Sequence, residues 1–379
     1  MFCPIKKITM NQYKLKEPLV DYPWNREAIK LIKWSKSKPI DYRAFVFDVC
    51  MSLAYIDSTS GVERFVEDCP NCPEEFNAHI GFINLCSPCY ENAQIWQYQK
   101  AAKPQSGALG KLSSEMILKF IEILFDDFIE TYSIGGTEVA DALIKKKNGI
   151  QILAEVKSAP LLTYPLLVQK VGTRENHSSI SLTSSQFREL KTALYMHKGE
   201  YIPLGKVKES NWPFRAVAAY FEDENNEVKI KSFFNTWSNT RKAYEDKNRA
   251  SKFYYLANAS GKPPKEARER DNWPSKESIS DSKTSAGMDR TDDIKKGIYQ
   301  VLKLGIQNKN NRNIKTAIIS NLPAFRHGKD YVDPFIDMIW GTENDLVKDS
   351  DIEYLRRKDM RYAFDYLITL TNPLIRDNE

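Results

Sequence analysis

The spacing of apolar residues predicts helices in the first third of the chain. In residues 112–131 apolar side chains recur every three or four positions, from Ile117 to Phe128, which predicts an amphipathic helix. Residues 41–57 are almost continuously apolar and predict a buried helix. Residues 100–111 are polar and contain Pro and Gly, which predicts a loop between these helices.

Later parts of the chain alternate between periodic and irregular segments. The predicted elements there are helices at 184–197 and 291–307 and strands at 215–222, 228–233 and 315–320. Residues 258–290 are rich in Ser, Lys, Asp, Gly and Pro and predict an exposed or partly disordered loop. The last sixty residues suggest a helical and mixed region, and residues 91–103 suggest a helix.

Residues 139–157 predict a hairpin that reverses at an Asn-Gly pair. A two-residue loop would pair Asp141 with Val156, whereas a three-residue loop with Gly149 in the left-handed conformation would pair Asp141 with Glu155. The second register is favoured because one face is then wholly apolar. Its opposed pairs are Ile144 with Ile152, Ala142 with Ala154, and Ala140 with Val156.

The other face of this hairpin would be polar, although the strands are otherwise built from Ile, Leu, Ala and Val. Asp141 and Glu155 would face each other with Cβ atoms ~5 Å apart, at which distance two carboxylates repel. Lys157 lies two residues beyond Glu155 and therefore shares its face. A divalent cation would relieve the repulsion, so this face is a candidate metal-dependent catalytic site.

Asp141, thirteen intervening residues and then Glu155-Val156-Lys157 resemble the PD-(D/E)xK motif of the restriction-endonuclease-like superfamily. Ala140 stands where that motif has proline. The resemblance implies a mixed α/β (α+β) fold with an αβββαβ core and large insertions, whose first helix would be the one predicted at 112–131.

Two helix-strand pairs could complete such a core. The pair at 184–197 and 215–222 is preferred because it follows the hairpin more closely. The alternative pair is 291–307 with 315–320, and it would make residues 158–290 one large insertion.

The resemblance also implies a mechanism. Asp141 and Glu155 would bind Mg²⁺, with the backbone carbonyl of Val156 as a further ligand, and the metal would polarise a phosphate and acidify a water molecule. Lys157 would position that water or stabilise the developing negative charge. Glu115, early in the helix, is a candidate ligand for a second metal ion or an acid just outside the direct ligands.

Two CxxC pairs form a second candidate site. Cys69-Pro-Asn-Cys72 is followed by thirteen residues and then Cys86-Ser-Pro-Cys89, a spacing typical of structural zinc sites such as zinc ribbons. Each pair can direct two thiolates at one point, so we predict a structural Zn²⁺ in an N-terminal four-cysteine module. The other cysteines, Cys3 and Cys50, are not expected to take part.

Composition and charge add a bias towards nucleic acid. The chain has 379 residues and a formal net charge of +5. Residues 1–40 contain nine Lys and Arg and three acidic residues, and residues 241–270 contain nine Lys and Arg and four acidic residues. Both stretches could therefore bind the phosphates of a nucleic acid. Neither a signal peptide nor an apolar stretch of ~20 residues is evident, so we expect a cytoplasmic protein without a membrane partner.

The resemblance implies, as the favoured hypothesis, a type II restriction endonuclease that cuts double-stranded DNA sequence-specifically with Mg²⁺, as a homodimer. A repair, recombination or transposon-end nuclease would use the same site, and a non-enzymatic zinc-dependent DNA-binding protein is the third hypothesis. The expected layout is an N-terminal region with the zinc module (1–105), a nuclease core (106–257), an exposed loop or linker (258–290), and a helical or mixed region that could complete the core (291–379).

Overall fold

The computed structural model describes residues 16–58, 64–104, 106–135, 140–169, 179–270, 272–279 and 285–375. Cys3, the first fifteen residues of the basic N-terminal stretch and residue 139 of the hairpin lie outside these ranges. None of the helices in the described ranges combines the length and the apolar composition needed to span a bilayer.

The elements mix α and β, which confirms the expected α+β class. The helices are α1 (Asn25–Lys36), α2 (Asp41–Ser58), α3 (Ser87–Ala93), α4 (Ser106–Leu124), α5 (Ser184–Glu189), α6 (Phe214–Glu222), α7 (Glu227–Glu245), α8 (Lys265–Arg268), α9 (Thr291–Gln307), α10 (Gly328–Tyr331) and α11 (Asp333–Ile336). The strands are β1 (Lys16–Pro18), β2 (Arg64–Asp68), β3 (Phe76–Ile80), β4 (Phe128–Ile134), β5 (Ala142–Lys146), β6 (Gln151–Val156), β7 (Leu166–Gln169), β8 (Ser179–Leu182), β9 (Lys191–Tyr195), β10 (Tyr201–Lys206), β11 (Ile314–Ser320), β12 (Ile339–Trp340), β13 (Leu346–Asp349), β14 (Ile352–Leu355), β15 (Arg361–Tyr362), β16 (Tyr366–Thr369) and β17 (Leu374–Ile375).

The chain divides into two compact units, each assembled from separate stretches of sequence. The first unit contains Met1–Val20, Ile117–Ser158 and Gly287–Glu379, and the second contains Asp21–Met116 and Ala159–Ala286. The second unit therefore interrupts the first twice along the sequence. One boundary falls inside helix α4.

The first unit is built on a seven-stranded sheet with the order β1-β4-β5-β6-β11-β16-β17. Strands β6, β11 and β16 run parallel, and the remaining neighbours are antiparallel. The parallel strands are mostly buried runs of Ile, Leu, Val and Ala, as strands covered on both faces require. Helix α9 packs against this part of the sheet through buried Ile294, Ile298 and Val301.

The hairpin of β5 and β6 has the register that the apolar face predicted. Ala142 pairs with Ala154 and Ile144 pairs with Ile152. The loop is closed by a hydrogen bond from the Lys146 amide to the Ile150 carbonyl, and Gly149 has φ +82°. Because an L side chain is strained at this φ, the glycine fits the three-residue loop.

The second unit contains a six-stranded antiparallel sheet with the order β10-β9-β7-β3-β2-β8. Helix α2 is buried along most of its length, which confirms the helix predicted at 41–57. Its Asp48 is fully buried and accepts hydrogen bonds from the Leu161 and Leu162 amides and the Trp237 indole. Burial nevertheless raises the pKa of Asp48 to about 8, because the three donors offset only part of the cost of burying the charged form.

The helix predicted at 112–131 was placed too far along the chain. Helix α4 occupies Ser106–Leu124, and Phe128 lies in strand β4. Two aspartates, Asp126 and Asp127, interrupt the helix, since aspartate is a poor helix former. Part of the loop predicted at 100–111 is instead the first turns of α4, although Gly107 and Gly110 lower its intrinsic helix propensity.

The strands predicted at 215–222 and 228–233 are wrong, because these residues lie in helices α6 and α7. In α6 the buried side chains are Phe214, Val217, Ala218 and Phe221, which have helical spacing. The helix predicted at 184–197 is only the short α5, whose capping box spans Thr183 and Gln186, followed by the buried strand β9.

Three irregular segments also differ from expectation. Within 258–290 the described residues include helix α8 and the buried side chains of Trp273 and Ile279, so this stretch is not simply an exposed loop. Helix α3 ends at Ala93, and residues 94–104, all of them described, form no helix. The end of the chain holds short strands and two helices of one turn each.

The helix and strand that follow the hairpin in the sheet are α9 and β11, not the preferred pair at 184–197 and 215–222. Strand β11 runs parallel to β6, with Glu155 opposite Ile318 and Val156 opposite Ile319. Residues Ala159–Ala286 belong to the second unit. Proximity along the sequence was a poor guide because a large insertion separates the neighbours.

Candidate functional site

Asp141, Glu155 and Lys157, the three candidate catalytic residues predicted from the sequence, lie together at the polar edge of the hairpin. Asp141 immediately precedes β5, Glu155 lies near the end of β6, and Lys157 follows that strand. Their backbones are fixed on both sides: the Asp141 amide donates to the Ala154 carbonyl, and the Lys157 amide donates to the Ile319 carbonyl of β11. The sheet therefore brings these side chains to one edge.

The side chains form a connected cluster of two carboxylates and one ammonium group. Lys157 Nζ lies 2.6 Å from Glu155 Oε1 and 3.8 Å from Asp141 Oδ2. The Val156 amide donates to Asp141 Oδ2 at 2.9 Å, so the aspartate is held against strand β6. Lys157 Nζ also lies 3.4 Å from the Val156 carbonyl oxygen.

Burial sets the electrostatics of this cluster. Glu155 is only 5% exposed. Its burial is the main cause, and the nearby Asp141 carboxylate the second cause, that raises the pKa of Glu155 to about 7, although Lys157 lowers this pKa in part. For Lys157, burial alone would lower the pKa, but the charges of Glu155 and Asp141 outweigh it and raise the pKa. Lys157 thus stays protonated beside two acids.

Helix α9 supplies two residues of this edge that sequence reasoning missed. A Cβ atom at Gly297 would lie 3.9 Å from Cγ of Glu155, an ordinary contact distance, so this part of α9 lies directly beside the buried glutamate. Asp293, in the first turn of α9, adds a further negative charge that raises the pKa of Lys157. Neither residue belongs to a recognisable short motif. Both come close to the hairpin only because strand β11, which follows α9, pairs with β6.

Glu115 lies in the other unit, on helix α4. It is 1% exposed, and both carboxylate oxygens lack a hydrogen-bond partner among the described residues. Lys111 Nζ lies 3.9 Å from one of them. Glu115 also contributes, after burial, to raising the pKa of Tyr22 to about 12. Glu115 is therefore a buried acid of the second unit whose charged neighbour is Lys111.

The four cysteines of the CxxC pairs and a histidine form two groups of three possible donors in the second unit, and the groups share Cys69. Cys69 follows β2, and the second pair lies at the start of α3, where Cys86 caps the helix. Cys69 Sγ lies 3.6 Å from Cys86 Sγ and 3.4 Å from Cys89 Sγ, and these three atoms could hold a metal ion such as zinc. Such distances are close to those between thiolates that share a tetrahedral ion.

His79 of strand β3 is the fifth donor of this cluster. Cys69 Sγ, Cys72 Sγ and His79 Nδ1 lie within 4.8 Å of one another. Gln99 donates its amide to the Ile83 carbonyl, which leaves its oxygen to accept from His79 Nε2. The Nδ1 lone pair therefore faces the thiols, in the way that outer hydrogen bonds orient a metal-binding imidazole.

The Cys69 thiol differs chemically from the remaining described cysteine, Cys50, although burial raises the pKa of Cys86 in the cluster as it does that of Cys50. Cys50 is buried in α2, where burial raises the pKa of its thiol well above the ordinary value. In contrast, hydrogen bonds from Cys72, Cys86 and Cys89 lower the pKa of the Cys69 thiol far below it. A histidine within a cysteine-rich segment was the one sequence signal that could have pointed to His79.

Comparison with known proteins does not assign the chain to a family. No protein-family model matches it, and neither a curated protein nor a solved structure matches it. The candidate chemistry therefore rests on the geometry of the hairpin edge and of the Cys/His cluster.

Proposed function

We propose that this protein is a Mg²⁺-dependent endonuclease of the PD-(D/E)xK type that hydrolyses phosphodiester bonds in double-stranded DNA. The observation that carries the proposal is the cluster of Asp141, Glu155 and Lys157 at one edge of a sheet. Two acids and a lysine are the residue types that such hydrolysis needs, and a chance cluster would more simply have been replaced by apolar side chains.

The order of elements in the chain supports the same proposal. Helix α4, strands β4, β5 and β6, helix α9 and strand β11 follow one another as α-β-β-β-α-β, and the four strands are neighbours in that order in the sheet. This is the order that the PD-(D/E)xK resemblance implies for the core. The insertion of the second unit between β6 and α9 is compatible with it, because insertions between core elements leave the sheet intact.

The donor set at the hairpin edge is suited to Mg²⁺. The carboxylates of Asp141 and Glu155 and the Val156 carbonyl are hard oxygen ligands, which this ion prefers. Glu155 is buried beside a second acid, and its raised pKa of about 7 means that the ionised pair needs positive charge. Lys157 supplies one such charge, and a divalent ion would supply the remainder.

Each residue then has a defined task. The ion, when bound, would polarise a phosphate oxygen and lower the pKa of a water molecule. Asp141 and Glu155 would hold the phosphate and the water in place through it. Lys157, kept protonated by its acidic neighbours, would donate to the phosphate oxygen on which negative charge develops. Glu115, which belongs to the second unit, stays a prediction from the sequence alone as a ligand for a second ion or as an outer acid.

A cleavage assay on long duplex DNA tests this proposal. The purified protein is incubated with an unmethylated DNA of known sequence, with Mg²⁺ or with no divalent cation added. Mg²⁺-dependent cuts that are lost in Glu155→Gln support the nuclease. Discrete fragments would favour a restriction enzyme that acts as a homodimer, whereas a smear would favour a repair or recombination nuclease. DNA binding without any cleavage would favour the zinc-dependent binding protein.

We also propose that Cys69, Cys72, Cys86 and Cys89 hold one structural zinc ion. The three close thiols around Cys69 support this, and Cys72 adjoins them through the triad with His79. Four sulfur ligands would leave no open position for water, so the ion would stabilise this part of the second unit without a catalytic task. His79, oriented by Gln99, is the alternative fourth ligand.

A further inference from the structure

A cavity of about 600 Å³ in the first unit lies at the opposite end of strand β11 from the hairpin edge. Its walls come from the end of helix α9, the start of β11 and the short β12–β15 ribbon. Glu155 pairs with Ile318, whereas the cavity meets β11 at Ile314 to Thr316. The hairpin edge is ~6 Å further along the strand, and none of Asp141, Glu155 and Lys157 lines the cavity, so the cavity is a separate site.

The cavity wall carries more positive than negative charge. Arg312, Lys315, Arg357 and Arg361 line it, together with a single carboxylate, that of Asp365. Asp365 is engaged with Lys315 Nζ at 3.2 Å and with the Thr316 amide at 2.8 Å. Arg357 is exposed and has no ion-pair partner among the residues that the structure describes. Arg312 is paired with Asp359 at 3.7 Å, so an anion in the cavity would be attracted chiefly to Arg357.

The same cavity offers a flat aromatic surface. Trp340 lines it, and its indole nitrogen donates to the Tyr362 carbonyl, which leaves the ring without a polar group to satisfy. The guanidinium of Arg361 lies 5.5 Å from the Trp340 ring centre, and Arg361 is itself held by Asp345 at 3.2 Å. The indole is thus fixed in position with Arg361 over its ring, and a planar ligand would stack on the ring face that Arg361 leaves open.

Two asparagines on the wall present complementary hydrogen-bonding groups. Asn308 donates its amide nitrogen to the Leu304 carbonyl, which fixes its orientation and leaves its oxygen as an acceptor. Asn311 accepts from the Asn313 amide through its oxygen, which leaves its nitrogen as a donor. The edge of a nucleobase carries both kinds of group, so one acceptor and one donor can read it.

From these features we propose that the cavity binds a single nucleotide, with its base against Trp340 and its phosphate at Arg357. The volume lies within the range of small-molecule sites, and a nucleotide can use a lining cation, the ring and both amides together. The nucleotide can be free or can be an unpaired residue of a DNA strand. The inference goes beyond the proposed cleavage and does not depend on it.

Binding of the four deoxynucleoside monophosphates to the full chain, measured by calorimetry without added Mg²⁺, tests the inference. Arg357→Gln should weaken binding about tenfold, because a charge-assisted hydrogen bond is lost. The matched control is Arg356→Gln, since Arg356 pairs with Asp359 and does not line the cavity; it should change the affinity less than about twofold.

A second variant, Gly305→Leu, fills the cavity and is expected to leave the fold intact. Gly305 is helical and lines the cavity, and a Cβ there would meet only Trp340, at 3.6 Å. Gly305→Leu should abolish nucleotide binding while the circular dichroism spectrum stays unchanged. The inference is overturned if no nucleotide binds saturably, if inorganic phosphate binds as tightly as the nucleotides, or if Arg356→Gln weakens binding as much as Arg357→Gln.

A duplex that contains 2-aminopurine distinguishes binding of a free nucleotide from binding of a nucleotide of the DNA strand. The fluorescence of 2-aminopurine rises when the base leaves the base stack. A rise with the wild-type protein that is absent with Gly305→Leu assigns the cavity to a nucleotide of the strand. Saturable binding of free nucleotides without any fluorescence rise assigns it to a free nucleotide. Because neither measurement requires cleavage, failure of this inference and failure of the nuclease proposal are distinguishable.

Discussion

Two acids are kept close together at the hairpin edge by the residues around them. Glu155 is buried, Asp141 is held by the Val156 amide, and Lys157 Nζ is 2.6 Å from the glutamate. A buried acid beside another acid opposes folding, so such an arrangement is costly unless it binds a cation. At this scale the sequence was informative, since the alternation of the strands assigned all three residues to one face.

The raised pKa of Glu155 predicts how the requirement for Mg²⁺ depends on pH. Below about pH 7 the metal-free protein carries a proton on Glu155, and Mg²⁺ must displace it. The Mg²⁺ concentration that gives half-maximal cleavage should therefore rise about tenfold for each pH unit below 7 and level off above it. Titrations of the cleavage rate from about two pH units below this pKa to about two above it measure this, and a constant requirement would contradict it.

The hairpin and the cysteine cluster were the elements best predicted from the sequence. Both depend on short-range rules: a glycine turn with strand alternation, and paired CxxC turns. Helices α6 and α7 were mistaken for strands because their short apolar runs fit either period, and burial in the second unit decided between them. His79 could not be assigned because its role depends on Gln99, twenty residues away.

The turn of the hairpin predicts a loss of stability for one glycine variant, and a glycine variant in a helix serves as a control with the opposite effect. Gly149→Ala should lower the free energy of unfolding by about 1 kcal/mol, because an L residue is strained at φ +82°. Gly110→Ala should raise it by up to about 1 kcal/mol, because Gly110 lies in helix α4 with open space around it. Urea titrations of both variants measure this; equal effects would mean that the turn is relaxed.

The cysteine cluster predicts about one zinc ion per chain, as measured by elemental analysis of protein purified without chelator. Cys69→Ala should lose the ion, because Cys69 belongs to both groups of donors. Cys50→Ala is the matched control and should keep it, since Cys50 lies in α2.

The same analysis identifies the fourth ligand. If all four cysteines bind, Cys72→Ala loses the ion and His79→Ala keeps it. The reverse pattern would replace Cys72 by His79 in the ligand set. Zinc-free wild-type protein that is fully folded would contradict the site altogether.

On the scale of the whole molecule, the seven-stranded sheet is assembled from segments far apart in the sequence. Strand β11 pairs with β6 across Ala159–Ala286, a stretch that belongs to the second unit. Each of α9 and β11 was predicted with nearly correct bounds, yet their place beside the hairpin was not preferred. Local patterns carry no information on pairing over such a distance, so the sequence could define the elements but not this connection.

The most direct test of the proposed nuclease compares two lysine variants of the same hairpin. Lys157→Ala removes the ammonium group from the acidic cluster, whereas Lys145→Ala removes one that pairs with the exposed Glu130. Cleavage and binding of one DNA duplex are measured side by side. We predict that Lys157→Ala binds DNA within about threefold of wild type but cleaves roughly 100-fold more slowly or worse, as removal of one transition-state donor implies, and that Lys145→Ala cleaves normally. Normal cleavage by Lys157→Ala would contradict the assignment of the active site.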